Sequence, residues 1–598
     1  MTTARWTVAN LLDLPHHDGS DLHVLEQPGE LGESAVVRLR LPNGGTPAER
    51  VLLRYERDGE PRSVEAVVDE ETETDTWWRA EFPAANPVVR YRWLLAGGDA
   101  GWTWVNALGQ TAHEVADADD FVLTIAEGAP SWHPDSVVYQ IFPDRFATTG
   151  LDVEEPEWAI RRPWDTLPTG RGRATPFEVY GGDLYGVEAH LDHVEAVGAN
   201  AIYLTPFFPA GSSHRYDATT FAHVDPLLGG DDALRSLVRA AHGRGLKLIG
   251  DITPNHTGMR HEWFRAALAG AEPERGFYYF DDSLPGGYES WLGHRTLPKL
   301  NWSSGELHER FAQVLRRYLE LGLDGWRVDV ANMTGRYRDT DLNREVSRWM
   351  REQVDGALLV AEHGHDFRPD LAARGWHGVM NYSGFLRPLW TWLIRDDPSR
   401  EQRAQFWGIP VGVPSLPGGD VVAAMARFRA GVPWDAVLNS WNLLDSHDVA
   451  RFRTVAGTHD RHLVGIGLQV ATPGVPMLFA GDELGLEGAW GEDARRTMPW
   501  DAPESWDTAF LAEVRTLMTL RRKSNALRRG GIRYVHVADD AVAFLRETRS
   551  ERLLCLAARA PHDPIPTPFT QLETLYGEDA SDGILPSDGP SFHVWRID

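Results

Sequence analysis

Eight short apolar runs alternate with amphipathic segments between residues 137 and 479, and this alternation constrains the fold most. The runs are 137–142, 201–205, 247–251, 325–330, 358–362, 378–381, 442–445 and 475–479. The segments 231–243 and 307–321 have the apolar spacing of helices. Regular alternation of strand and helix predicts a parallel (β/α)8 TIM barrel, with its active site at the carboxyl ends of the strands. Residues 257–300 exceed the length of a barrel loop, so we expect an inserted subdomain there.

Short runs of alternating polarity, punctuated by Pro, Gly and Asn, precede the barrel and return after it. Such runs are typical of antiparallel sandwiches. A chain of 598 residues is also too long for one compact core. We therefore expect a multidomain α/β protein. Its parts are an N-terminal β-sandwich like a carbohydrate-binding module over 1–128, a catalytic barrel over 129–528 and a C-terminal β-sandwich over 529–598.

The composition limits the classes of function. The net charge is -28, and an acidic surface repels nucleic-acid phosphates and anionic lipid, so we expect neither as a partner. The single cysteine, Cys555, excludes an internal disulfide and a Cys-based zinc site. The N-terminus has no apolar stretch of signal-peptide length and no run could span a bilayer, so we expect a cytoplasmic protein.

Tryptophan is unusually frequent, with 24 copies in the chain. Indole rings stack on sugar faces, so this count weakly favours carbohydrate binding. Five tryptophans in the N-terminal domain are compatible with two interpretations, a sugar-binding platform or a packed core, and both remain at this point. The residues concerned are Trp77, Trp78, Trp93, Trp102 and Trp104.

The run 325–330 carries Arg327 and Asp329 two residues apart. Residues two apart in a strand share a face, so both side chains emerge together at the strand end. A neighbouring cation favours the ionised form of a carboxyl group. An ionised aspartate at the end of a barrel strand is a candidate nucleophile. Taken alone, Arg-x-Asp is more often a structural ion pair, because short motifs match by chance.

Further polar residues collect at the ends of other predicted strands. They are Asp251, Asn255 and His256 after the third, Glu362 on the fifth, and Asp445, His447 and Asp448 after the seventh. These residue types also bind metals, but three carboxylates on separate strands suit glycoside hydrolysis better. That reaction needs one ionised carboxylate and one protonated carboxyl group. Asp329, which lies beside Arg327, suits the ionised role, and Glu362, which follows an apolar run, suits the protonated role. We expect Asp448 to raise the proton affinity of Glu362.

Four blocks in chain order resemble the α-amylase family, glycoside hydrolase family 13. They are Asp251-x-x-x-Asn255-His256, Gly325-x-Arg327-x-Asp329, Glu362 and Ser446-His447-Asp448. The resemblance covers nearly the whole chain and implies a retaining double displacement through a covalent glucosyl-enzyme. It implies Asp329 as nucleophile, Glu362 as acid/base and Asp448 as transition-state stabiliser. The implied substrate-binding residues are Tyr216, which stacks under the sugar, Asp251, which orders the network, Asn255, His256, Arg327 and His447.

Three further motifs resemble the cyclomaltodextrinases, neopullulanases and maltogenic amylases of that family. They are Val-Tyr-Gln-Ile-Phe-Pro-Asp-Arg-Phe at 138–146, Gly-Gly-Asp-Leu-Tyr-Gly at 181–186 and Leu-Pro-Lys-Leu-Asn at 297–301. This branch resemblance implies α-1,4 and in some members α-1,6 cleavage of cyclic or short linear maltooligosaccharides. It also implies a homodimer formed through the N-terminal domain. Met333 and His363, which the resemblance also implies as substrate-binding residues, depart from the branch pattern beside the acceptor sugars, so the preferred linkage stays open.

The calcium loop of that branch is not matched. Residues 147–150 read Ala-Thr-Thr-Gly and lack its Asn and Asp ligands. Asp183 remains, but one carboxylate makes a poor calcium site, so we expect no cofactor.

Two other functions stay open at this point. Residues 255–264 resemble exo-acting family members, which favours an α-glucosidase or a transglycosylase on the same site. A non-catalytic carbohydrate-binding protein on the same barrel is disfavoured, because such relatives tend to lose the catalytic carboxylates.

Overall fold

The computed structural model describes residues 11–97, 101–125, 128–395, 406, 409 and 411–597. Its N-terminal part is a sandwich of two antiparallel sheets. One sheet contains, in order, Val24–Glu26, Ser34–Pro42, Asp75–Pro83 and Val67–Glu71. The other contains Glu60–Glu65, Arg50–Arg57, Val88–Ala96, Trp102–Asn106 and Gly109–Thr111, with Phe121–Thr124 paired to Val88–Ala96. Alternate residues such as Leu39 and Leu53 are fully buried between the sheets, as the period of a strand requires.

The tryptophans of this domain divide between core and surface. Trp93 is fully buried, and Trp77 is buried with the Arg38 guanidinium 4.1 Å from its ring centroid. Trp102 is 42% exposed and meets Trp104 edge to face at 5.5 Å. A sugar platform of all five tryptophans is therefore excluded, because protein atoms occupy the faces of Trp77 and Trp93.

Eight parallel strands close into a barrel in the middle of the chain. They are β1 Val138–Ile141, β2 Ala201–Leu204, β3 Lys247–Ile252, β4 Gly325–Val328, β5 Leu358–Glu362, β6 Gly378–Met380, β7 Trp441–Leu443 and β8 Val475–Phe479. Each strand overlaps one predicted run, and β8 pairs with β1 to complete the ring. The predicted (β/α)8 barrel is confirmed.

The helices follow from apolar spacing and capping. In Gly305–Glu320 the buried Leu307, Phe311 and Leu315 recur every four residues, and the Ser304 hydroxyl accepts a bond from the Leu307 N–H. The α-helices of the described ranges are Pro143–Phe146, Leu184–Ala189, Leu191–Val197, Gly230–Gly243, Glu262–Leu268, Gly305–Glu320, Asn343–Val354, Arg368–Leu371, Arg387–Leu393, Gly418–Arg429, Trp434–Leu438, Phe452–Ala456, His459–Ala471, Gly491–Ala494, Thr508–Lys523 and Asn525–Arg529. None of the helices in the described ranges has the length and apolar character to cross a bilayer.

The long segment after β3 forms a small unit beside the strand ends. It contains the helix Glu262–Leu268 and isolated antiparallel contacts that pair Phe280 with Tyr288 and Ser290 with Pro298. Its last residues return to the barrel, where Lys299 pairs with His256. The insertion thereby delivers a lysine to the candidate site.

The C-terminal part is a five-stranded antiparallel sheet with a two-stranded sheet beside it. The strands, in order, are Gly531–Val537, Ala541–Glu547, Arg552–Ala558, Ser591–Ile597 and Leu572–Tyr576, and the small sheet pairs Ile565–Pro566 with Ile584–Leu585. One face, including Phe544 and Val594, packs into the barrel core. The opposite face, including Leu545 and Trp595, packs against Ile565 of the small sheet.

Candidate active site

Strand register brings the polar residues of β3, β4 and β5 together. Asp251 on β3 is the direct partner of Arg327 on β4. Gly325 permits close pairing with β5, because a Cβ there would lie only 2.5 Å from a side chain of that strand. Asp329 follows β4 and Glu362 ends β5, at the carboxyl ends where a barrel has its active site.

The buried Arg327 guanidinium lies among four carboxyl groups. Its Nη1 donates to Asp329 Oδ1 at 2.8 Å and to both Asp251 oxygens at 3.1 Å. Its Nη2 lies 3.1 Å from Glu362 Oε2 and 4.0 Å from Asp448 Oδ2. Three of these carboxyl groups, those of Asp251, Asp329 and Glu362, are buried around this one guanidinium, while Asp448 is partly exposed.

Asp329 has one bound and one free oxygen. Its Oδ2 is buried and accepts no hydrogen bond from the residues that the structure describes. Burial raises the pKa of Asp329 well above its usual range, repulsion from Glu362 adds to the rise, and Arg327 opposes it. Burial therefore opposes the effect of Arg327 that the sequence predicts, and the net shift of the Asp329 pKa is upward.

A strained backbone orients Glu362. Its Oε2 accepts a 2.7 Å hydrogen bond from the Val330 N–H. Val330 has a φ of 45°, which is rare for a β-branched residue. Such a conformation costs about 1–3 kcal/mol and persists only where the surrounding structure imposes it. The strain lies directly after Asp329, so it fixes the geometry of both carboxyl groups.

Asp448 is the most accessible of the four carboxyl groups, with 29% of its side chain exposed. Its Oδ1 lies 3.3 Å from Arg495 Nη2 and 3.3 Å from His447 Nε2. Arg495 also donates from Nε to the His447 carbonyl at 2.7 Å. One arginine thus fixes both the backbone and the carboxylate of this loop.

Tyr216 and His447 form a hydrogen-bonded chain that ends on Asp251. Gln140 Nε2 lies 2.7 Å from His447 Nδ1, and an amide N–H donates, so Nδ1 accepts and Nε2 carries the proton. That Nε2 lies 2.6 Å from the Tyr216 hydroxyl, which donates to Asp251 Oδ2 at 3.0 Å. The two rings stack at 9°. Burial holds the pKa of His447 well below its usual range, so its ring is neutral.

Asp251 receives a second hydroxyl that the sequence did not single out. Tyr203 donates to its Oδ2 at 2.5 Å. Burial raises the pKa of Asp251 to about 6, although Arg327 acts in the opposite direction. Tyr203 and Gln140 are direct partners on β2 and β1. Tyr203 is visible in the sequence as a polar group inside an otherwise apolar run, and Gln140 lies in the motif at 138–146.

Lys299 links Asn255, His256 and Met333. Its Nζ donates to Asn255 Oδ1 at 2.6 Å and to the Met333 carbonyl at 3.0 Å. Asn255 Nδ2 lies 3.1 Å from His256 Nδ1, which leaves the proton of His256 on Nε2. That Nε2 has no partner in the described part of the chain, and the ring stacks on Trp291 at 5.7 Å. Burial lowers the pKa of His256 to about 3, so it is a neutral donor.

His363 follows Glu362 in the chain but binds other partners. Its Nε2 lies 3.0 Å from Asp370 Oδ2, and its Nδ1 accepts the His365 N–H at 3.4 Å. Asp370 in turn accepts from both Nη groups of Arg336. With both ring nitrogens occupied by protein, His363 supports the loop after β5. These contacts direct His363 away from the four carboxyl groups.

The residues around Asp183 do not fit a calcium ion. Asp183 is buried, and its Oδ2 accepts from the Thr149 N–H at 2.7 Å and from the Thr149 hydroxyl at 3.0 Å. Its Oδ1 accepts from the Gly186 N–H at 2.7 Å. Calcium requires six to eight oxygen ligands. Here N–H and O–H donors surround the single carboxylate instead.

Known proteins resemble the part of the chain that forms the barrel. The family model of the alpha amylase catalytic domain matches residues 140–529. Neopullulanase 2 of Thermoactinomyces vulgaris is 32% identical over 484 residues, which cover 78% of this chain and 77% of the relative. A cyclomaltodextrinase of a Bacillus species is 31% identical over 438 residues, which cover 71% of this chain and 73% of the relative.

A solved structure agrees with these relatives. It is the cyclic α-maltosyl-(1→6)-maltose hydrolase from Arthrobacter globiformis, in complex with cyclic α-maltosyl-(1→6)-maltose. It matches with a TM-score of 0.64 at 30% identity, over 74% of this chain and 94% of that chain. The chain described here therefore belongs to the α-amylase family and is a glycoside hydrolase.

Proposed function

We propose that the enzyme hydrolyses α-1,4 and α-1,6 glucosidic bonds in cyclic and short linear maltooligosaccharides, with retention at the anomeric carbon. One observation carries this proposal: Asp329 Oδ2 is buried without a donor while Oδ1 is anchored on the same guanidinium that contacts Glu362. A single bridging cation suits the separation of about 5 Å that retaining glycosidases need between their carboxyl groups. The named activities of the neopullulanase and cyclomaltodextrinase relatives support the choice of substrate.

In the proposed reaction Asp329 Oδ2 attacks C1 of the glucose. Glu362 gives its proton to the glycosidic oxygen, the C1–O bond breaks, and the sugar remains esterified to Asp329. Water then attacks C1, Glu362 takes a proton from it, and the ester bond breaks to restore both carboxyl groups. Burial and repulsion from Glu362 favour the protonated form of Asp329 in the free site. The reaction requires that proton on Glu362 when the sugar is bound.

The remaining polar residues are proposed to hold the glucose ring. Asp448, fixed by Arg495, is exposed enough to accept bonds from sugar hydroxyls. His256 presents a free Nε2–H to a hydroxyl because Asn255 occupies its other nitrogen. Tyr216 offers a ring face whose orientation is fixed by its stack on His447.

A product time course with β-cyclodextrin, maltotriose, panose and pullulan tests the substrate class. Ring opening followed by maltose is the expected result. Release of glucose alone, or accumulation of products longer than the substrate, would instead indicate an α-glucosidase or a transglycosylase. Mass spectrometry after treatment with a 5-fluoroglucosyl fluoride tests the mechanism separately, and we expect the label on the peptide that contains Asp329.

We also propose a homodimer formed through the N-terminal domain and a cytoplasmic location. The edge strand Val67–Glu71 supports the first, because Val67 is 55% and Val68 is 46% exposed there. A buried, unpaired Cys555 is compatible with a reducing compartment. Light scattering after size exclusion should give twice the chain mass, and Val68→Lys should lower it. A monomer at micromolar concentration contradicts the dimer, and cell fractionation tests the location.

A further inference from the structure

The segment that contains His16, Asp18 and His23 joins the N-terminal and C-terminal sheets. His16 forms a bridge with Arg40 of the strand Ser34–Pro42 through two backbone hydrogen bonds of 2.9 and 3.0 Å. Asp18 Oδ2 accepts a 3.0 Å bond from the Ile532 N–H of the C-terminal sheet. The segment lies far along the chain from every carboxyl group of the active site, and the proposed hydrolysis does not use it.

Three ligand-type side chains converge in this joint. One nitrogen each of His16 and His23 and one oxygen of Asp18 lie within 4.8 Å of one another. His16 Nε2 lies 3.5 Å from Asp18 Oδ2. Neighbouring ligands of a tetrahedral zinc ion are about 3.4 Å apart when each bond is about 2.1 Å. The spacing of the first pair matches that geometry, and the third ligand requires a small inward shift.

The His23 ring is arranged as a metal ligand would be. Its Nδ1 lies 3.1 Å from the Arg38 carbonyl, and only a protonated nitrogen can bond to a carbonyl, so the lone pair is on Nε2. His23 is 1% exposed, and its Nε2 has no hydrogen-bond partner among the residues described. A buried acceptor without a donor costs about 1–3 kcal/mol. Metal-binding histidines typically donate their second N–H to a carbonyl in this way.

The carboxylate is oriented as well. Asp18 Oδ1 accepts from the Ser20 N–H at 3.0 Å and from the Ser20 hydroxyl at 2.5 Å. Together with Ile532 these donors hold the carboxyl plane and leave a lone pair on Oδ2. The nearby Arg533 donates to the Leu12 carbonyl, and Arg40 brings a second positive charge. Two carboxylates face these two guanidinium groups, since Arg40 lies 2.9 Å from Asp75 and 3.3 Å from Glu547. The local positive charge therefore does not exclude a cation.

We propose that His16, Asp18 and His23 bind one zinc-class divalent cation that fastens the N-terminal segment between the two sheets. Two imidazole nitrogens and one carboxylate oxygen are a ligand set that zinc accepts, and water completes the tetrahedron. The side chain of His16 is 18% exposed, so a cation and its water reach the joint from solvent. His17 is not a ligand, since its nitrogens lie 2.9 Å from the Arg38 carbonyl and 2.9 Å from the Tyr91 hydroxyl.

Calorimetric titration of the chelator-treated full-length enzyme with zinc chloride tests the proposal. We expect one zinc per chain with micromolar or tighter affinity, a rise in the melting temperature, and the visible spectrum of a tetrahedral site when cobalt replaces zinc. His16→Ala should weaken binding at least tenfold. The matched control is His113→Ala, which removes an exposed histidine from the same domain and should bind zinc like the parent.

Asp18→Asn gives an independent variant if His16→Ala is poorly folded, because it keeps the side-chain shape. Both variants should retain hydrolysis of β-cyclodextrin, so loss of zinc binding is distinguishable from loss of the proposed function. The proposal is overturned if the parent takes up no stoichiometric zinc. It is also overturned if His16→Ala and Asp18→Asn bind zinc as tightly as His113→Ala does.

Discussion

Two buried clusters of one arginine and several carboxyl groups lie at the ends of barrel strands, and they differ in what surrounds the arginine. Arg451 donates to Asp482 Oδ1 at 2.7 Å and gives its other N–H groups to backbone carbonyls. Those carbonyls belong to Phe479, Ala480 and Ala494. Arg327 instead lies among four carboxyl groups contributed by three strands and the loop after β7.

The carboxyl groups of the two clusters are also used differently. Burial, together with Asp482, raises the pKa of Asp445 well above its usual range, and Asp445 Oδ1 has no hydrogen-bond partner among the described residues. Both are almost completely buried. Asp329 also has a raised pKa and an unpaired Oδ2, but in its cluster Asp448 opens to solvent. A raised pKa and an unpaired oxygen are therefore common to both clusters, and the opening at Asp448 distinguishes the one that we propose to be catalytic.

We call the group around Arg327 the open cluster and the group around Arg451 the closed cluster. The largest expected effect is a loss of activity on substitution in the open cluster. Asp329→Asn removes the attacking oxygen, so kcat should fall at least about 10⁴-fold. The free energy of unfolding should stay the same or rise, because a buried carboxyl group with a raised pKa is replaced by a neutral amide. Steady-state rates on β-cyclodextrin and urea unfolding check the two parts. Residual activity above one hundredth of the parent value would rule out Asp329 as nucleophile.

The same substitution in the closed cluster should have the opposite profile. Asp482→Asn leaves the Arg451 charge buried without its carboxylate, which should lower the free energy of unfolding by about 3–5 kcal/mol. Activity per folded molecule should remain within about twofold, since Arg451, Asp445 and Asp482 are all buried away from solvent. Urea unfolding and active-site titration measure the two quantities. A large loss of kcat with unchanged stability would show that the clusters are not functionally distinct.

The comparison shows what the sequence can and cannot provide. The eight strands and the residues Asp329, Glu362 and Asp448 were predictable, because buried strands are apolar runs and the motifs follow at their ends. Arg495 was not, since it lies 47 residues beyond Asp448 and only closure of the barrel brings them together. The upward shift in the pKa of Asp329 was not predicted, for a similar reason. A neighbouring arginine is visible in a sequence, whereas depth of burial is not.

A smaller effect is expected at the edge of the open cluster. Arg495→Gln keeps some hydrogen bonding but removes the charge that faces Asp448 Oδ1. Asp448 should become more mobile, which lowers kcat/KM by about tenfold through weaker positioning of the sugar. Arg496→Gln is the matched control, because Arg496 binds Asp493 and does not touch Asp448. If the two variants have equal activity, Arg495 does not position the carboxylate.

The smallest expected effect is a shift on the pH axis. The negative charge of Asp251 helps to raise the pKa of Asp329, after burial and Glu362. Asp251→Asn removes that repulsion, so the pKa of Asp329 falls and the nucleophile stays ionised to lower pH. The acidic limb of the pH profile of kcat/KM should therefore shift to lower pH, by about one pH unit or less. The plateau should also fall, because Asp251 anchors Arg327 and Tyr216.

The shift of the acidic limb distinguishes a loss of electrostatic coupling between Asp251 and Asp329 from general damage to the site. Asp482→Asn carries the same change of charge in the closed cluster and should leave the acidic limb where the parent enzyme has it. The pH dependence of the free energy of unfolding provides a second check. The pKa of Asp251 is raised to about 6 in the folded state, so the folded enzyme binds this proton more tightly than the unfolded chain. Its contribution therefore stabilises the fold increasingly as pH falls from about 6 towards 4, and Asp251→Asn should abolish that gain.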